Sequence, residues 1–302
     1  MQQDDSGAAR ERETRRGIGY GVAAYLIWGL LPIYLKALGS VGSGEVLAHR
    51  IVWSLVFTAA MIAVAGRWAA IRDVVRKPRL LGLLLATATI ITINWLVYIH
   101  AVATGRMLAG SLGYYLNPLV SVVLGVVVLK EKLSRAQVGA LVLALAGIAV
   151  LGVNAGGSLW ISLTVAFSFA TYGLLRKLAP VDPLTGLAVE TAILAPLAGG
   201  YLLWLHAHGD ASFGADRHVD LLLIASGVIT AVPLLLFSAA AKRLRYSTVG
   251  ILQFIAPSMV FVLAVFVFGE TLTWAHAVCF AAIWTAVLVY VADGFRIGRQ
   301  TG

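Results

Sequence analysis

The sequence predicts an all-α polytopic membrane protein: ten transmembrane helices in two inverted five-helix repeats, with N and C termini cytoplasmic. Three observations carry that expectation. The chain of 302 residues is 60% hydrophobic and only 12% charged, too little polar surface for a soluble protein of this size. Its apolar residues gather into runs of about 18 to 22, the length at which a helix crosses a ~30 Å hydrocarbon layer. One pattern also occurs twice. Shifted by 139 residues, Arg106, Pro118, Glu131, Leu133 and Ala136 fall on Arg245, Pro257, Glu270, Leu272 and Ala275. Each copy is a basic turn, an apolar span broken by proline in its first half, and a glutamate where the apolar run stops.

In lipid every backbone N–H and C=O must be satisfied internally, so each run is expected to be a helix. In order the first five are Ile18–Leu38, Val46–Ala65, Leu80–Ala101, Ala109–Leu129 and Ala136–Val153. The second five are Leu159–Leu175, Thr185–Leu205, Val219–Ala240, Ser247–Phe268 and Trp274–Ala292. Residues 1–17 form a polar tail, expected as a disordered cap, and 294–302 a second cytoplasmic tail. The first repeat covers 18–153 and the second 154–293. The first run is longer than a signal peptide's apolar core, carries Trp28 and Pro32 and follows a tail containing acids. It reads as a retained helix.

Basic residues fix the sidedness. Of the 23 Lys and Arg residues, Lys36, Arg106 and Arg217 fall on one side and Arg50 inside a span. The rest, including Arg67 to Arg79, Lys130 to Arg135, Arg176 with Lys177, and Lys242 to Arg245, collect on the other, which is therefore cytoplasmic. Five spans per half is an odd number, so the second half enters the membrane upside down. The matched turns agree: Lys130-Glu131-Lys132 becomes Gly269-Glu270-Thr271, and Gly105-Arg106 becomes Lys242-Arg243-Leu244-Arg245. Inverted repeats of this kind are the plan of secondary transporters, with a site near the midplane reached from alternate faces.

Several classes drop out. Cys279 is the single cysteine and lies in an apolar run, which leaves no intrachain disulfide and no cysteine metal site. The net charge of +9 sits in turns on one face, so no nucleic-acid partner is expected. The Gly156-Gly157 string is a turn and no Walker loop exists. No His/Glu pair has zincin spacing, and Ser111, His49 and Glu190 do not assemble into a triad, so no enzyme, metal or cofactor is expected. A channel would need a repeated charged or carbonyl-rich filter motif. A small-molecule substrate and the lipid bilayer remain as partners.

Strings spread along the whole chain resemble one known group. Ala24-Tyr25-Leu26-Ile27-Trp28-Gly29, His49-Arg50-Ile51-Val52-Trp53-Ser54 and Asn94-Trp95 are similar to those of RarD-type permeases of the EamA group, in the drug/metabolite transporter superfamily. So are Gly113-Tyr114-Tyr115-Leu116-Asn117-Pro118-Leu119-Val120 and Ala166-Phe167-Ser168-Phe169-Ala170-Thr171-Tyr172-Gly173. The resemblance implies two inverted repeats around a central cavity, with the last helix of each repeat set apart as scaffold. It also implies a permease of small organic metabolites or drugs in a bacterial-type inner membrane, with export slightly favoured over uptake.

Ionisable side chains inside spans cost roughly 2.5–3.5 kcal/mol each on insertion scales, so each needs a reason. Those here are His49 and Arg50 in the second span, His100 ending the third and Glu190 in the seventh. Aligning Gly44 to His49 with Thr185 to Glu190 makes His49 and Glu190 counterparts, each about one turn inside its helix but from opposite faces. At ~1.5 Å per residue they differ in depth by roughly 15–20 Å, so no His49/Arg50–Glu190 salt bridge is expected. Two separate polar sites follow, one per gate: Glu190 as the proton-coupling candidate, Arg50 as a holder of an anionic substrate group. The competing role for these residues is snorkelling to an interface.

Aromatic and amide residues mark the cavity candidates. Asn94 and Tyr98 share a helix face at i and i+4, with Trp95 beside them. Tyr114, Tyr115 and Asn117 sit at similar depth in the next span, where Pro118 frees a carbonyl. In the second half Pro233 aligns with Asn94, Gln253 and Phe254 with Tyr114 and Tyr115, and Pro257 with Pro118. Trp28, Trp53 and Tyr172 complete the set. Aromatic faces beside a few amides suit a flat or amphipathic organic molecule. Trp68, Trp160, Trp204 and Trp274, near span ends, read as interfacial belt residues. Small residues recur at every fourth position in the fifth span (Ala136, Ala140, Ala144) and the tenth (Ala277, Ala281, Thr285), which suits scaffold packing or a homodimer through those helices.

Overall fold

A computed structural model describes residues 2–39, 41–103, 107–152, 159–267 and 274–300. Arg106, Glu270 and Leu272 of the repeat, and the Gly156-Gly157 turn, lie outside them. The described residues form helices and connecting turns, with no strand among them. The helices are α1 (Gln2–Ala37), α2 (Ser43–Val64), α3 (Trp68–Val75), α4 (Pro78–Ala103), α5 (Met107–Val127) and α6 (Arg135–Gly152). They continue as α7 (Leu159–Leu178), α8 (Pro183–His208), α9 (Arg217–Arg243), α10 (Tyr246–Leu252), α11 (Ile255–Phe266) and α12 (Trp274–Gln300).

Among the described residues, the apolar runs read from the sequence fall mainly on these helices. Seven segments are long and apolar enough to cross a membrane: Glu11–Ala37, Ser43–Val64, Pro78–Tyr98, Leu159–Leu178, Pro183–His208, Arg217–Arg243 and Tyr246–Leu263. Shorter apolar helices occupy Leu112–Val127, Arg135–Val150 and Ala277–Asp293. Their outer faces carry bare hydrocarbon: Val64, Leu197, Leu203, Phe266 and Trp274 are all strongly exposed. Water penalises that arrangement and a bilayer does not.

Several local expectations are corrected. The polar tail is not a disordered cap but the start of α1, which begins at Gln2 and carries Glu11–Arg15 and Glu13–Arg16 pairs at helical spacing. The basic stretch after the second span contains α3, whose Val74 is buried while Trp68 stays exposed. Helices α5 and α9 run through Pro118 and Pro233 without ending. Proline deletes one backbone donor, and both helices are packed enough to absorb the loss. The ninth run does break, at Gln253–Phe254 between α10 and α11. Pro257 then falls in the first turn of α11, where its missing N–H has no helical partner to lose.

The chain divides into two compact units. One comprises 1–95 and 175–243, the other 96–174 and 244–302. In the first, α2 packs antiparallel on α8. Gly44 at the start of α2 meets Tyr201 late in α8, where a Cβ would lie 2.8 Å from the Tyr201 hydroxyl. Gly227 lets α9 close on α2, since a Cβ there would lie 2.4 Å from the Trp53 carbonyl carbon. In the second unit α6 packs on α12 around Ala140, Ala144, Ile148, Cys279 and Ile283. Their closest approach is Gly147 against Cys279–Ala282. The small-residue expectation holds for Ala140 and Ala144. Ala277, Ala281 and Thr285 instead face outward, because α12 turns Cys279, Ile283 and Ala286 toward α6.

Candidate functional site

In the first unit, the polar residues of the second and seventh spans occupy opposite ends of the α2–α8 pair. Near the start of α2, Glu45 and His49 are buried one turn apart. Glu45 Oε1 accepts the backbone N–H groups of Ser212 (2.8 Å) and Phe213 (3.1 Å), so it holds the α8–α9 loop. Trp53 Nε1–H donates to His49 Nδ1 at 3.2 Å. The Phe213 ring lies over the imidazole, centroids 4.9 Å apart. Arg50, the next residue, turns away: its Nε–H donates to Thr230 Oγ1 at 2.8 Å and its guanidinium sits 5.4 Å from the Trp95 ring centre. On α1, Trp28 packs with Tyr25 and Phe237, ring centres 5.5 and 5.8 Å away. Asn94 is buried.

At the other end, near the start of α8, Glu190 accepts a 2.5 Å hydrogen bond from Thr87. It pairs with Arg176 Nη1 at 3.6 Å. Arg176 was counted among the exposed cytoplasmic charges. It is fully buried instead, donating through Nη2 to the Pro183 carbonyl and through Nε to Ser238. Sequence reasoning missed it because an arginine at a span end normally marks the interface. One signal was available: Gly186 comes four residues before Glu190, and a Cβ there would sit 2.0 Å from Arg176 Nη1. The glycine vacates the volume the guanidinium fills.

This end is bound by further charges. Lys177 Nζ donates to the Ala241 carbonyl (2.7 Å) and Lys242 Nζ to the Ala179 carbonyl (2.6 Å). Each lysine thus serves the carbonyls left over at the other helix's C-terminus. Asp182 caps α8 by accepting from Thr185 N–H and pairs with Arg67 at 3.0 Å. Burial would raise the Asp182 carboxyl above its usual range. The hydrogen bonds from Thr185 and the Arg67 charge outweigh that, and it is lowered.

In the second unit Tyr98 and Tyr114 meet edge-on at 5.2 Å, above a cluster of Ala101, Ile161 and Val165. Tyr115 packs on Phe280 at 5.7 Å, and Phe254 is buried in the α6–α12 core. Gln253 Nε2–H donates to Ser121 Oγ at 2.9 Å. The Gln253 Oε1 and Asn117 Oδ1 atoms are buried with no hydrogen-bond partner among the described residues. Tyr172 is buried against Phe169, 6.1 Å away. Glu131 accepts the N–H groups of Tyr246 (2.6 Å) and Ser247 (2.9 Å), capping the start of α10 across the repeat.

A helical, apolar-faced chain with charged and amide residues buried inside its spans has the character of an integral membrane protein. The comparisons make this specific. The EamA-like transporter family matches residues 15–153 and again 156–292, and the chain belongs to that family, within its RarD-type permeases. It is 42% identical over 290 residues to an uncharacterized transporter of Vibrio cholerae, covering 96% of each chain. It is 43% identical over 293 residues to a protein RarD of Streptomyces exfoliatus, covering 96% of this chain and 93% of the other. The protein RarD of Escherichia coli is 40% identical over 291 residues, covering 96% and 98%. One solved crystal structure has the same fold at a TM-score of 0.72 and 21% identity, covering 93% of this chain and 98% of that one.

Proposed function

We propose that this membrane transporter is a secondary active permease of small organic metabolites or drugs, working by alternating access to a site near the middle of the bilayer. The observation that carries the reading is the pair of polar centres at opposite ends of the antiparallel α2–α8 pair, at positions the repeat makes equivalent. One holds His49 and the other Glu190. Three packings support two inverted five-helix repeats of ten spans. The α2–α8, α5–α10 and α6–α12 pairs each join a span to its own counterpart in the other half, as helices beside a twofold axis do. Both termini would then face the cytoplasm across a bacterial-type inner membrane.

The substrate in this reading is flat or amphipathic. The aromatic candidates are Trp28, Trp53 and Trp95 in one unit and Tyr98, Tyr114, Tyr115, Tyr172 and Phe254 in the other, and the amide candidates are Asn94 in the first and Asn117 and Gln253 in the second. Arg50 would hold an anionic group. Transport is proton-coupled, with export favoured. Glu190 was the carboxylate expected to carry the proton, and its bond to Arg176 gives it a second role, because neutralising it would leave a buried guanidinium without a counter-ion. The exposed Ala277, Ala281 and Thr285 stripe is the surface on which two copies would pair.

The test has two stages. A metabolite and drug library is screened for compounds that raise the thermal stability of the purified protein, since a ligand that binds only the folded state must stabilise it. The best stabiliser is then followed in sealed vesicles. Accumulation against its own gradient, driven by an imposed pH gradient, supports coupled transport. Movement that ignores the pH gradient makes the protein a facilitator, and no movement of any stabilising compound overturns the reading.

A further inference from the structure

We propose that His49 is the protonation site through which a proton gradient acts on this protein, and that the loop 209–216 is the lid it controls. The proposal deepens the proton-coupled reading and rests on it for its consequence in transport. Its physical basis lies in one turn of α2.

The Trp53 indole can only donate, so the His49 Nδ1 that receives its hydrogen must be an acceptor. The neutral ring therefore carries its own proton on Nε2. That atom is buried and has no hydrogen-bond partner among the described residues. A buried donor left unbonded is uncommon and calls for a reason. Phe213, a loop residue that is itself 37% exposed, lies over the ring. The charged groups acting on it are Glu45 from its own helix and Asp220 from α9, both acidic.

Glu45 connects the ring to the loop. Its Oε1 holds the Ser212 and Phe213 amides. It also lies four residues before His49, the helical arrangement in which a glutamate attracts a following cation. A proton arriving from water on this face would attach to Nδ1 and make the ring an imidazolium. The Trp53 N–H then loses its acceptor, and Glu45 gains a cationic neighbour that competes with the two loop amides. Both changes favour an open lid, and loss of the proton restores the closed one.

Glu190 offers no such switch. Its carboxylate is held by Thr87 and by an arginine with no exposed surface, and protonation would strand that charge. Protonating His49 breaks no ion pair, whereas protonating Glu190 breaks one.

The test is amide hydrogen exchange on the full chain in lipid nanodiscs, from about pH 8 to about pH 5, where histidine changes charge. Rates are corrected for intrinsic chemistry. Ser212 and Phe213 are expected to lose about tenfold or more of their protection as the pH falls. Tyr246 and Ser247, held by Glu131 in the same manner, are the internal control and keep theirs. His49→Gln abolishes the acid-induced loss, and Glu190→Gln leaves it in place. Trp53→Phe keeps the aromatic packing but removes the N–H that only the neutral ring accepts, so its lid opens at less acid pH than the wild type. Protection of Ser212 and Phe213 that does not change with pH overturns the proposal. So does an acid response that survives His49→Gln, or a Trp53→Phe midpoint equal to wild type. The exchange requires no substrate. A pH-insensitive lid therefore sinks this proposal alone, while a responsive lid on a protein that carries nothing in vesicles sinks the transport reading alone.

Discussion

The two ends of the α2–α8 pair solve the same problem, a polar side chain inside an apolar helix, in opposite ways. At the Glu190 end charge is met by charge: Arg176 answers Glu190, Arg67 answers Asp182, and two lysines cover the carbonyls where α7 and α9 finish. At the His49 end the ring is neutral, one nitrogen is bonded to Trp53, the other is bonded to nothing described, and a single carboxylate holds the adjoining loop. The charged end resists change because a lost partner leaves a buried charge alone. The His49 end can change state without breaking an ion pair. The difference sets an ion-paired end against one whose ring carries no ion pair.

The strongest way to break the comparison is to remove one half of the buried ion pair. Arg176→Met or Glu190→Leu alone should lower stability by about 3–5 kcal/mol, because each leaves an uncompensated buried charge. Thermal unfolding in detergent reads this. The double variant should recover most of the loss, and His49→Gln should cost far less than either single change. Equal losses at both ends would erase the distinction. Next in size is Gly186→Ala, whose Cβ would collide with the Arg176 guanidinium. It should cost about 1–3 kcal/mol as the pair is displaced. In the Arg176→Met/Glu190→Leu background the same substitution should cost much less, which separates loss of the pair from a general packing defect.

The capping carboxylates give a smaller effect. Glu131→Gln keeps the shape of the side chain but weakens two hydrogen bonds to the start of α10, and about 1 kcal/mol is expected from the loss of a good cap. The smallest effect concerns acid. Asp182 is lowered in the folded protein, so its contribution is fully present above the ordinary carboxyl value near 3.9 and fades as pH falls through the depressed one. Because Asp182 and Arg67 are both partly exposed, the change is modest. Asp182→Asn should flatten the acid limb of the stability profile slightly and leave its neutral plateau only a little lower.

Much of this architecture was legible in the sequence, for reasons that differ from element to element. Length and apolarity place the helices because lipid admits few other backbone solutions, and the ten runs fall mainly where the helices do. The registers of Gly44–His49 and Thr185–Glu190 placed His49 and Glu190 at opposite ends without coordinates, because an antiparallel pair brings matched positions in from opposite faces. Arg176 was out of reach: local composition says interface, and only three-dimensional packing turns the guanidinium inward beside Gly186. The role of Glu45 was equally hidden, since its partners are backbone N–H groups of a loop 167 residues away, and backbone donors leave no mark in composition. The tail of α1 and the short α3 were missed because polar or basic stretches beside spans resemble turns until their helical spacing is weighed.

The most direct measurement is nitrogen NMR of the protein labelled in its six histidines, with His49 assigned by its absence in His49→Gln. The account predicts that at about pH 8 His49 is neutral with its proton on Nε2 and its Nδ1 bare, and that by about pH 5 both nitrogens carry a proton. The same transition should appear in Glu190→Gln. A neutral ring with its proton on Nδ1, or a ring that keeps one state across the whole range, would contradict it.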